Sequence, residues 1–312
     1  MAPMSDTLIT RPPALEPGAR IAVIAPSSCF PRDAFDAGVA WLRSRGFSPW
    51  WRDDIFERRH YTAGDRARRL REWNEALADP STRAIWCVRG GYGVMQLLRE
   101  LEVSPLRTAP RMVIGGSDIT PLLNMVAERV HVVTVHGPMI CGIPRTHRSS
   151  LERMLTILGE PTCPPPDLVA DHGRIIAPGR ARGRLCGGNL SMIAATLGTP
   201  YALETRGRIL CLEDVGERPY RIDRLVEQLM LAGLPQRAAG IVLGEFTRCT
   251  EADGRGRAIE EIMEEHFRSL KIPVLSGFPF GHGHINEILP IGAPVELDTD
   301  RRRIRFLGPV VA

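Results

Sequence analysis

The chain has 312 residues, of which 44% are hydrophobic and 24% are charged, with both signs intermixed. This composition is typical of a folded globular protein with one large or two ordinary domains, and it excludes a disordered chain. Lysine and arginine exceed aspartate and glutamate by 40 to 36, without a basic stripe that carries interleaved aromatic residues. We therefore expect no nucleic-acid partner, whereas the mildly positive field suits a small anionic substrate.

No segment approaches the roughly 20 consecutive apolar residues of a membrane-spanning helix, so we expect no association with a membrane. Residues 1–17 are polar, contain prolines and lack the apolar core of a secretion signal. We interpret them as the disordered lead-in of a cytoplasmic protein. The seven cysteines are odd in number and form no CxxC pair, which favours reduced thiols over disulfides or a zinc site. A lone thiol nucleophile stays open as an alternative, although no cysteine lies in a turn built to present it.

Apolar runs alternate with helical patterns in the first half of the chain. Buried strands are predicted at residues 20–25, 84–88, 111–114 and 131–135. Helical periodicity covers residues 33–45 and 63–78, and Thr62 is a candidate N-cap of the second helix. This alternation predicts parallel βαβ units and therefore an open α/β sheet.

A proline-rich segment, residues 159–179, interrupts this alternation. Its five prolines exclude a helix and an inner strand, so we interpret it as a linker. The linker divides the chain into an N-terminal α/β domain, residues 18–158, and a C-terminal α/β domain, residues 180–312. Near the chain end, residues 293–306 alternate between apolar and polar as a terminal hairpin does.

Ser117 is the first candidate for catalysis. It follows an apolar strand and two glycines in Gly115-Gly116-Ser117-Asp118, and Pro121 then opens an apolar helix. A serine on a tight strand-to-helix turn exposes its hydroxyl, and the helix N-terminus offers N–H groups to a developing oxyanion. The segment departs from the G-x-S-x-G signature because Ile119 occupies the last position. An ordinary serine or aspartate helix cap explains this segment equally well.

A glycine-rich turn, Arg89-Gly90-Gly91-Tyr92-Gly93, directly follows another predicted strand. It lacks the lysine and hydroxyl residue of a P-loop, and Gln96 replaces the last glycine of a dinucleotide-binding motif. Ligands bind at the carboxyl ends of the strands in open α/β sheets. We therefore interpret this turn as the source of an oxyanion-binding N–H, with a plain tight turn as the alternative.

An acid and a base are predicted in the C-terminal half. Glu213 ends an apolar strand and is suited to orient a histidine, whereas Asp214 and Glu217 fit helix capping better. His282 and His284 lie in a glycine-rich loop without a third motif that would complete a metal site. One of them is therefore the predicted general base.

Taken together, these segments resemble the LD-carboxypeptidase family, which includes murein tetrapeptide carboxypeptidases and microcin-immunity peptidases. The matching segments follow family order over nearly the whole chain: residues 21–27, 89–93, 116–120, 187–191, 212–214, 281–282 and 289–292. The resemblance implies a flavodoxin-like N-terminal domain with an open parallel sheet and a nucleophile. It also implies a second α/β domain with the acid and the base, and an active site at the domain interface.

The resemblance further implies a catalytic triad and an oxyanion hole made of backbone N–H groups: Ser117, Glu213 and His282 for the triad, and Gly91 and Asp118 for the hole. His282 is preferred to His284 because it follows the glycine of the family's Gly-His element. Glu217 is the second choice for the acid. The family requires neither a metal nor an organic cofactor, and it suggests a homodimer.

The implied enzyme is a serine-type LD-carboxypeptidase. It would hydrolyse the amide between a diamino acid and a terminal D-alanine in small cytoplasmic murein tetrapeptides, during cell-wall recycling. Two alternatives stay open: a microcin-immunity-like peptidase that cleaves aminoacyl nucleotide amides, and a non-enzymatic protein that binds an anion at the glycine-rich turn. Residues 213–221 favour the tetrapeptide enzymes. The preference for lysine or diaminopimelate at the third position stays open, as does the arginine that holds the substrate carboxylate: Arg89, Arg218 or Arg221.

Overall fold

The computed structural model describes residues 9–251 and 256–312, which form two compact units. The N-terminal unit contains the described residues up to Cys163, together with Glu287–Gly292 and Pro309–Ala312. The C-terminal unit contains Pro164–Asn286 and Ala293–Gly308. The predicted C-terminal domain, residues 180–312, therefore includes two short segments that belong to the N-terminal unit.

The strands lie, in chain order, at β1 Arg20–Ile24, β2 Ser48–Trp50, β3 Arg58–Arg59, β4 Thr62–Ala63, β5 Thr82–Cys87, β6 Met112–Gly115, β7 Thr134–His136, β8 Leu168–Val169, β9 Ile175–Ala177, β10 Arg180–Asn189, β11 Ile209–Val215, β12 Gly240–Thr247, β13 Val274–Leu275, β14 Leu289–Ile291, β15 Pro294–Asp298 and β16 Arg303–Phe306. The α-helices lie at α1 Arg32–Ser44, α2 Arg66–Ala78, α3 Pro105–Thr108, α4 Thr120–Arg129, α5 Arg148–Gly159, α6 Leu190–Ala195, α7 Pro219–Leu231, α8 Leu234–Arg237 and α9 Ile259–Phe267. None of the helices in the described ranges is both long and apolar enough to cross a membrane.

The N-terminal unit is built on a sheet with strand order β14-β7-β6-β5-β1-β2. Its neighbours pair in parallel except for β14, which runs antiparallel to β7. The inner strands β1, β5 and β6 are buried along nearly their whole length, as expected when both faces of a parallel sheet are covered. The predicted open parallel sheet is confirmed, with an antiparallel edge strand that comes from late in the chain.

The start of α2 differs from the sequence-based expectation. The helix begins at Arg66, and its N-cap is Asp65, whose carboxylate accepts the backbone N–H of Arg68 at 2.8 Å. Thr62, the predicted cap, lies instead in the short hairpin of β3 and β4. The predicted helix began three residues early, at the last residue of this hairpin, because two-residue strands are too short to show an alternation of their own.

Part of the predicted disordered lead-in is ordered. Residues 1–8 lie outside the described residues. The backbone N–H of Thr10 donates to the carbonyl of His131 at 2.6 Å, and that of Leu15 donates to the carbonyl of Leu158 at 2.8 Å. The Leu15 side chain is buried. The prediction of disorder is therefore wrong for residues 9–17, because this segment buries an apolar side chain and pairs its backbone.

The C-terminal unit contains a sheet with strand order β8-β16-β15-β10-β11-β12-β13-β9. Strands β10 to β13 pair in parallel, and the outer strands are antiparallel. Apolar residues of α6, α7 and α9 pack with those of the parallel strands in one buried core. The predicted terminal hairpin corresponds to β15 and β16. The proline-rich segment contributes β8 and β9, the two edges of the sheet, where missing N–H donors are tolerated.

Candidate active site

Ser117 follows β6 after one intervening residue, Gly116, and begins a single 3₁₀ turn, Ser117–Ile119, that runs into α4. Its φ angle of 56° lies in the left-handed region, which is costly for a residue with a side chain. Strain of this kind is concentrated at functional sites. Within the described residues the half-buried Ser117 hydroxyl forms no hydrogen bond and caps no helix. This geometry favours a presented hydroxyl over a helix cap.

The glycine-rich turn lies against Ser117. A Cβ atom at Gly90 would be 2.8 Å from the Ser117 Cβ, 3.0 Å from its Oγ and 3.0 Å from the backbone N of Asp118, so only glycine fits. Gly91 has a φ angle of 99°, and a Cβ there would lie 2.5 Å from the Ser28 Oγ. The turn thus lies beside Ser117 and the N–H of Asp118, because Ser117 and Gly91 adopt left-handed conformations and Gly90 has no side chain.

Asp118 ties these segments together through its side chain. The carboxylate is 2% exposed, and one oxygen accepts the Ser27 hydroxyl at 2.5 Å and the backbone N–H of Val94 at 2.8 Å. Burial raises the pKa of Asp118, and these two hydrogen bonds partly oppose the rise. The side chain therefore connects the Ser117 turn with the segments that follow β1 and β5. Sequence reasoning assigned only the backbone N–H of Asp118 and missed the partners of its carboxylate.

The predicted acid and base meet in the C-terminal unit. Glu213, in β11, is fully buried, and its Oε2 lies 2.6 Å from Nδ1 of His282. The His282 ring keeps 23% of its side-chain surface exposed. When Nδ1 carries the proton and donates to the carboxylate, Nε2 is left as a proton acceptor.

The charge of Glu213 controls the titration of His282. Burial of the ring would lower the pKa of His282, but the nearby carboxylate and its hydrogen bond to Nδ1 raise it, and the net shift is upward. The loop is shaped for this contact, since Gly281 has a φ angle of 133° and a Cβ there would lie 3.1 Å from Oε2 of Glu213. Phe278 and Phe280 anchor the loop with fully buried rings.

The other acidic candidates have separate partners. The buried Asp214 carboxylate accepts hydrogen bonds from the Asn189 amide at 3.0 Å and from the Ser191 hydroxyl at 2.7 Å. Asp214 thereby holds the turn between β10 and α6, a role that the sequence indicated only as helix capping. Glu217, the second choice for the acid, pairs with Arg221 at 3.3 Å near the surface.

The other candidate residues, namely the second histidine, two of the arginines and the cysteines, are less suited to the predicted roles. His284 and Arg218 are exposed, and Arg89 is half-buried with its guanidinium donating to the carbonyl of Cys29. Burial raises the pKa of Cys87 and Cys211, which disfavours thiolate chemistry at these positions. Residues 9–251 and 256–312 contain no cluster of His, Cys, Asp and Glu able to hold a metal ion.

Family models match both halves of the chain. The model of the LD-carboxypeptidase N-terminal domain covers residues 21–137, and that of the C-terminal domain covers residues 182–297. A carboxypeptidase-named protein of Streptomyces coelicolor is 37% identical over 310 residues, which are 97% of this chain and 98% of that protein. The murein tetrapeptide carboxypeptidase of Pseudomonas aeruginosa is 33% identical over 299 residues, which are 91% of this chain and 94% of that protein.

Solved structures share the fold. The muramoyltetrapeptide carboxypeptidase of Oxalobacter formigenes has a TM-score of 0.82 at 27% identity and covers 94% of this chain and 100% of its own. The microcin C7 self-immunity protein MccF has a TM-score of 0.87 and covers 97% of this chain and 99% of its own, and its 24% identity supports the fold alone. Both family domains match this chain in order, and relatives above 30% identity span more than nine-tenths of its length. This chain therefore belongs to the LD-carboxypeptidase family of peptidases.

Proposed function

We propose that this protein is a serine LD-carboxypeptidase that releases the terminal D-alanine of cytoplasmic murein tetrapeptides during cell-wall recycling. The observation that carries the proposal is the Glu213–His282 pair, in which a buried carboxylate lies 2.6 Å from Nδ1 of a partly exposed histidine. That arrangement prepares Nε2 to accept the proton of a serine nucleophile. The Pseudomonas relative supports the substrate class, because its name is murein tetrapeptide carboxypeptidase.

In the proposed reaction, Oγ of Ser117 attacks the carbonyl carbon of the amide that precedes D-alanine, and Nε2 of His282 takes the hydroxyl proton. The negative charge that develops on the carbonyl oxygen is stabilised by the backbone N–H groups of Gly91 and Asp118. The C–N bond then breaks, and His282 returns the proton to the amine of the departing D-alanine. Water cleaves the acyl-serine ester by the same steps, with His282 again as the base.

Glu213 has two tasks in this mechanism. Its hydrogen bond keeps the proton on Nδ1 of His282, so that Nε2 is free to accept one. Its charge stabilises the imidazolium that forms during attack, in agreement with the raised pKa of His282. The left-handed backbone of Ser117 and its contact with Gly90 support a nucleophile that is held in position before substrate binds.

The deciding experiment supplies the purified protein with a murein tetrapeptide and, separately, with an aminoacyl sulfamoyl adenosine, the substrate type of the microcin-immunity alternative. We expect D-alanine release from the tetrapeptide, reduced at least about a thousandfold by Ser117→Ala. The exposed Ser104→Ala serves as the matched control and should retain full activity.

Unchanged D-alanine release by the Ser117→Ala protein would refute the serine mechanism. Cleavage of the aminoacyl sulfamoyl adenosine alone would assign the protein to the microcin-immunity type. Sedimentation velocity of the same preparation tests the homodimer, which stays a prediction.

A further inference from the structure

A cavity of about 480 Å³ lies within the N-terminal unit, beside the segment that follows the glycine-rich turn. This volume is in the range of small-ligand sites. Four arginines dominate its lining: Arg59, Arg66, Arg69 and Arg99. Asp65 is the only carboxylate among the lining residues. The cavity therefore offers an excess of positive charge to a ligand.

Arg69 is the strongest indication that the ligand is an anion. The residue is 2% exposed, and its hydrogen bonds go to neutral acceptors: the carbonyls of Asp65, Pro26 and Gly93 and the side-chain oxygen of Gln96. No carboxylate of the described residues forms an ion pair with it. Burial and the charge of Arg68 lower the pKa of Arg69, and the more distant charges of Asp118 and Asp65 offset this only in part. A buried guanidinium without a direct ion pair is only partly compensated, and a bound anion would complete the compensation.

The other arginines of the lining are available to a ligand to different degrees. Arg99 is exposed and has no ion pair within the described residues. Arg59 faces Asp65 at a long 3.9 Å, and Arg66 pairs with Glu100, both at the surface. Exposed ion pairs contribute little to stability, so a carboxylate ligand competes with them at small cost.

The cavity is within reach of a substrate that is cleaved at Ser117. Gly90 contacts Ser117, and Met95 and Gln96 of the same loop line the cavity. Residues 90–96 span at most about 20 Å when fully extended, and they are shortened by the 3₁₀ turn at Val94–Gln96. A bound tetrapeptide with its side chains covers a comparable distance.

Two exposed tyrosines connect the cavity with the glycine-rich turn through a ring contact. Tyr61 lines the cavity, and Tyr92 belongs to the glycine-rich turn. Their ring centroids are 5.1 Å apart in an edge-to-face contact, and the residues are 60% and 47% exposed. Such a pair provides a surface against which the apolar part of a peptide can pack.

We propose, on the basis of the proposed function, that this cavity is a subsite for carboxylate groups of an acidic peptide substrate, on the amino-terminal side of the cleaved bond. The four arginines select the charge of the substrate, and Ser117 cleaves it at the other end of the loop. The cavity thereby favours acidic peptides over neutral ones of equal length.

The kinetic test uses Arg99→Gln, because this arginine is exposed and its loss should not impair folding. We expect the KM for murein tetrapeptide to rise about fivefold or more at unchanged kcat. A tetrapeptide with amidated internal carboxyl groups should already have a high KM and respond little to the substitution. Arg83→Gln, an exposed arginine at the start of β5, is the control with the same change in charge. Equal effects of Arg99→Gln and Arg83→Gln, or equal effects on both peptides, would overturn the proposal.

A binding measurement separates this proposal from the proposed activity. Calorimetric titration with an acidic dipeptide that contains glutamate and has no D-alanine bond requires no catalysis. We expect binding to wild type and to Arg83→Gln, weakened at least about fivefold by Arg99→Gln and lost with the amidated dipeptide. Equal affinity of wild type and Arg99→Gln contradicts the subsite. Tighter, Arg99-dependent binding of inorganic phosphate than of the dipeptide would make the cavity a phosphate site instead.

Discussion

Ser117 has a backbone conformation that serine rarely adopts, and this conformation has a measurable cost. At a φ angle of 56°, a residue with a Cβ atom is strained by about 1–2 kcal/mol, whereas glycine is not. Both Ser117→Ala and Ser117→Gly remove the nucleophile, but only the second also removes the strain. We expect the free energy of unfolding of Ser117→Gly to exceed that of Ser117→Ala by about 1 kcal/mol, after the higher entropy of unfolded glycine is subtracted.

Urea denaturation of the two variants measures this difference directly. Equal stabilities, or a more stable alanine variant, would mean that the turn stores no strain at Ser117.

His282 makes the reaction dependent on pH in a defined direction. The folded protein raises the pKa of His282 above its ordinary value of about 6.5, and the base must be neutral to accept a proton. The value of kcat/KM should therefore fall as the pH decreases through this raised pKa. Glu213→Gln removes the charge that raises the pKa and leaves the burial that lowers it. The acid limb should then move to lower pH, with a loss of activity of about a thousandfold or more.

Glu217→Gln is the matched control for this prediction, since Glu217 was the second choice for the acid and pairs with Arg221. Its pH profile of kcat/KM should equal that of wild type. A shift of the acid limb in the Glu217 variant, with none in the Glu213 variant, would reverse the assignment of the acid.

At the scale of secondary structure, the site depends on three segments that follow β1, β5 and β6. The Asp118 carboxylate joins them by accepting the Ser27 hydroxyl and the Val94 N–H on one oxygen. Asp118→Asn replaces a charged acceptor with a weaker neutral one that can hold these donors less well. We expect a loss of about 1–3 kcal/mol in the free energy of unfolding, and a decrease in kcat that exceeds the increase in KM.

The comparison of kcat with KM distinguishes a positioning residue from a merely structural one. Asp65→Asn, which weakens the N-cap of α2, is the control: it should lower stability with less effect on kcat. Equal effects of the two substitutions on kcat would show that Asp118 does not position the loops.

Local sequence patterns predicted the helices and strands whose hydrophobic period is clear. They failed where contacts with distant segments determine the bounds of an element. The hydrophobic periods of α1 and β1 placed both elements to within one or two residues. The predicted strand at residues 131–135 is observed at Thr134–His136, because His131 has a φ angle of 57° and the segment before β7 meets Thr10. Pairing between residues more than a hundred positions apart leaves no trace in a local period.

At the scale of the whole molecule, sequence motifs predicted the candidate site residues, but their hydrogen-bond partners are known only from the folded structure. The Glu213–His282 contact joins residues 69 positions apart, and the resemblance to the family suggested it. The ligand-lining role of Arg69 and Arg99 had no signal in the sequence, because an arginine in a helix or loop is usually a solvated surface residue. Their significance rests on the burial of Arg69, on its lack of a direct ion pair within the described residues and on the grouping of four arginines around one cavity, which only the folded structure reveals.

The proposed triad draws on both units of the molecule, because Ser117 belongs to the N-terminal unit and His282 to the C-terminal unit. Double substitution therefore tests whether the two residues act together. Residues that act in one chemical step are strongly non-additive. If the two residues form one catalytic device, Ser117→Ala and His282→Ala should each reduce kcat for D-alanine release to the same residual level, and the double variant should be no worse. His284→Ala, at an exposed neighbour, should leave kcat unchanged and add nothing to Ser117→Ala. Multiplied effects of the Ser117 and His282 substitutions would mean that the two units contribute independently, and the base for Ser117 would then have to come from the N-terminal unit itself.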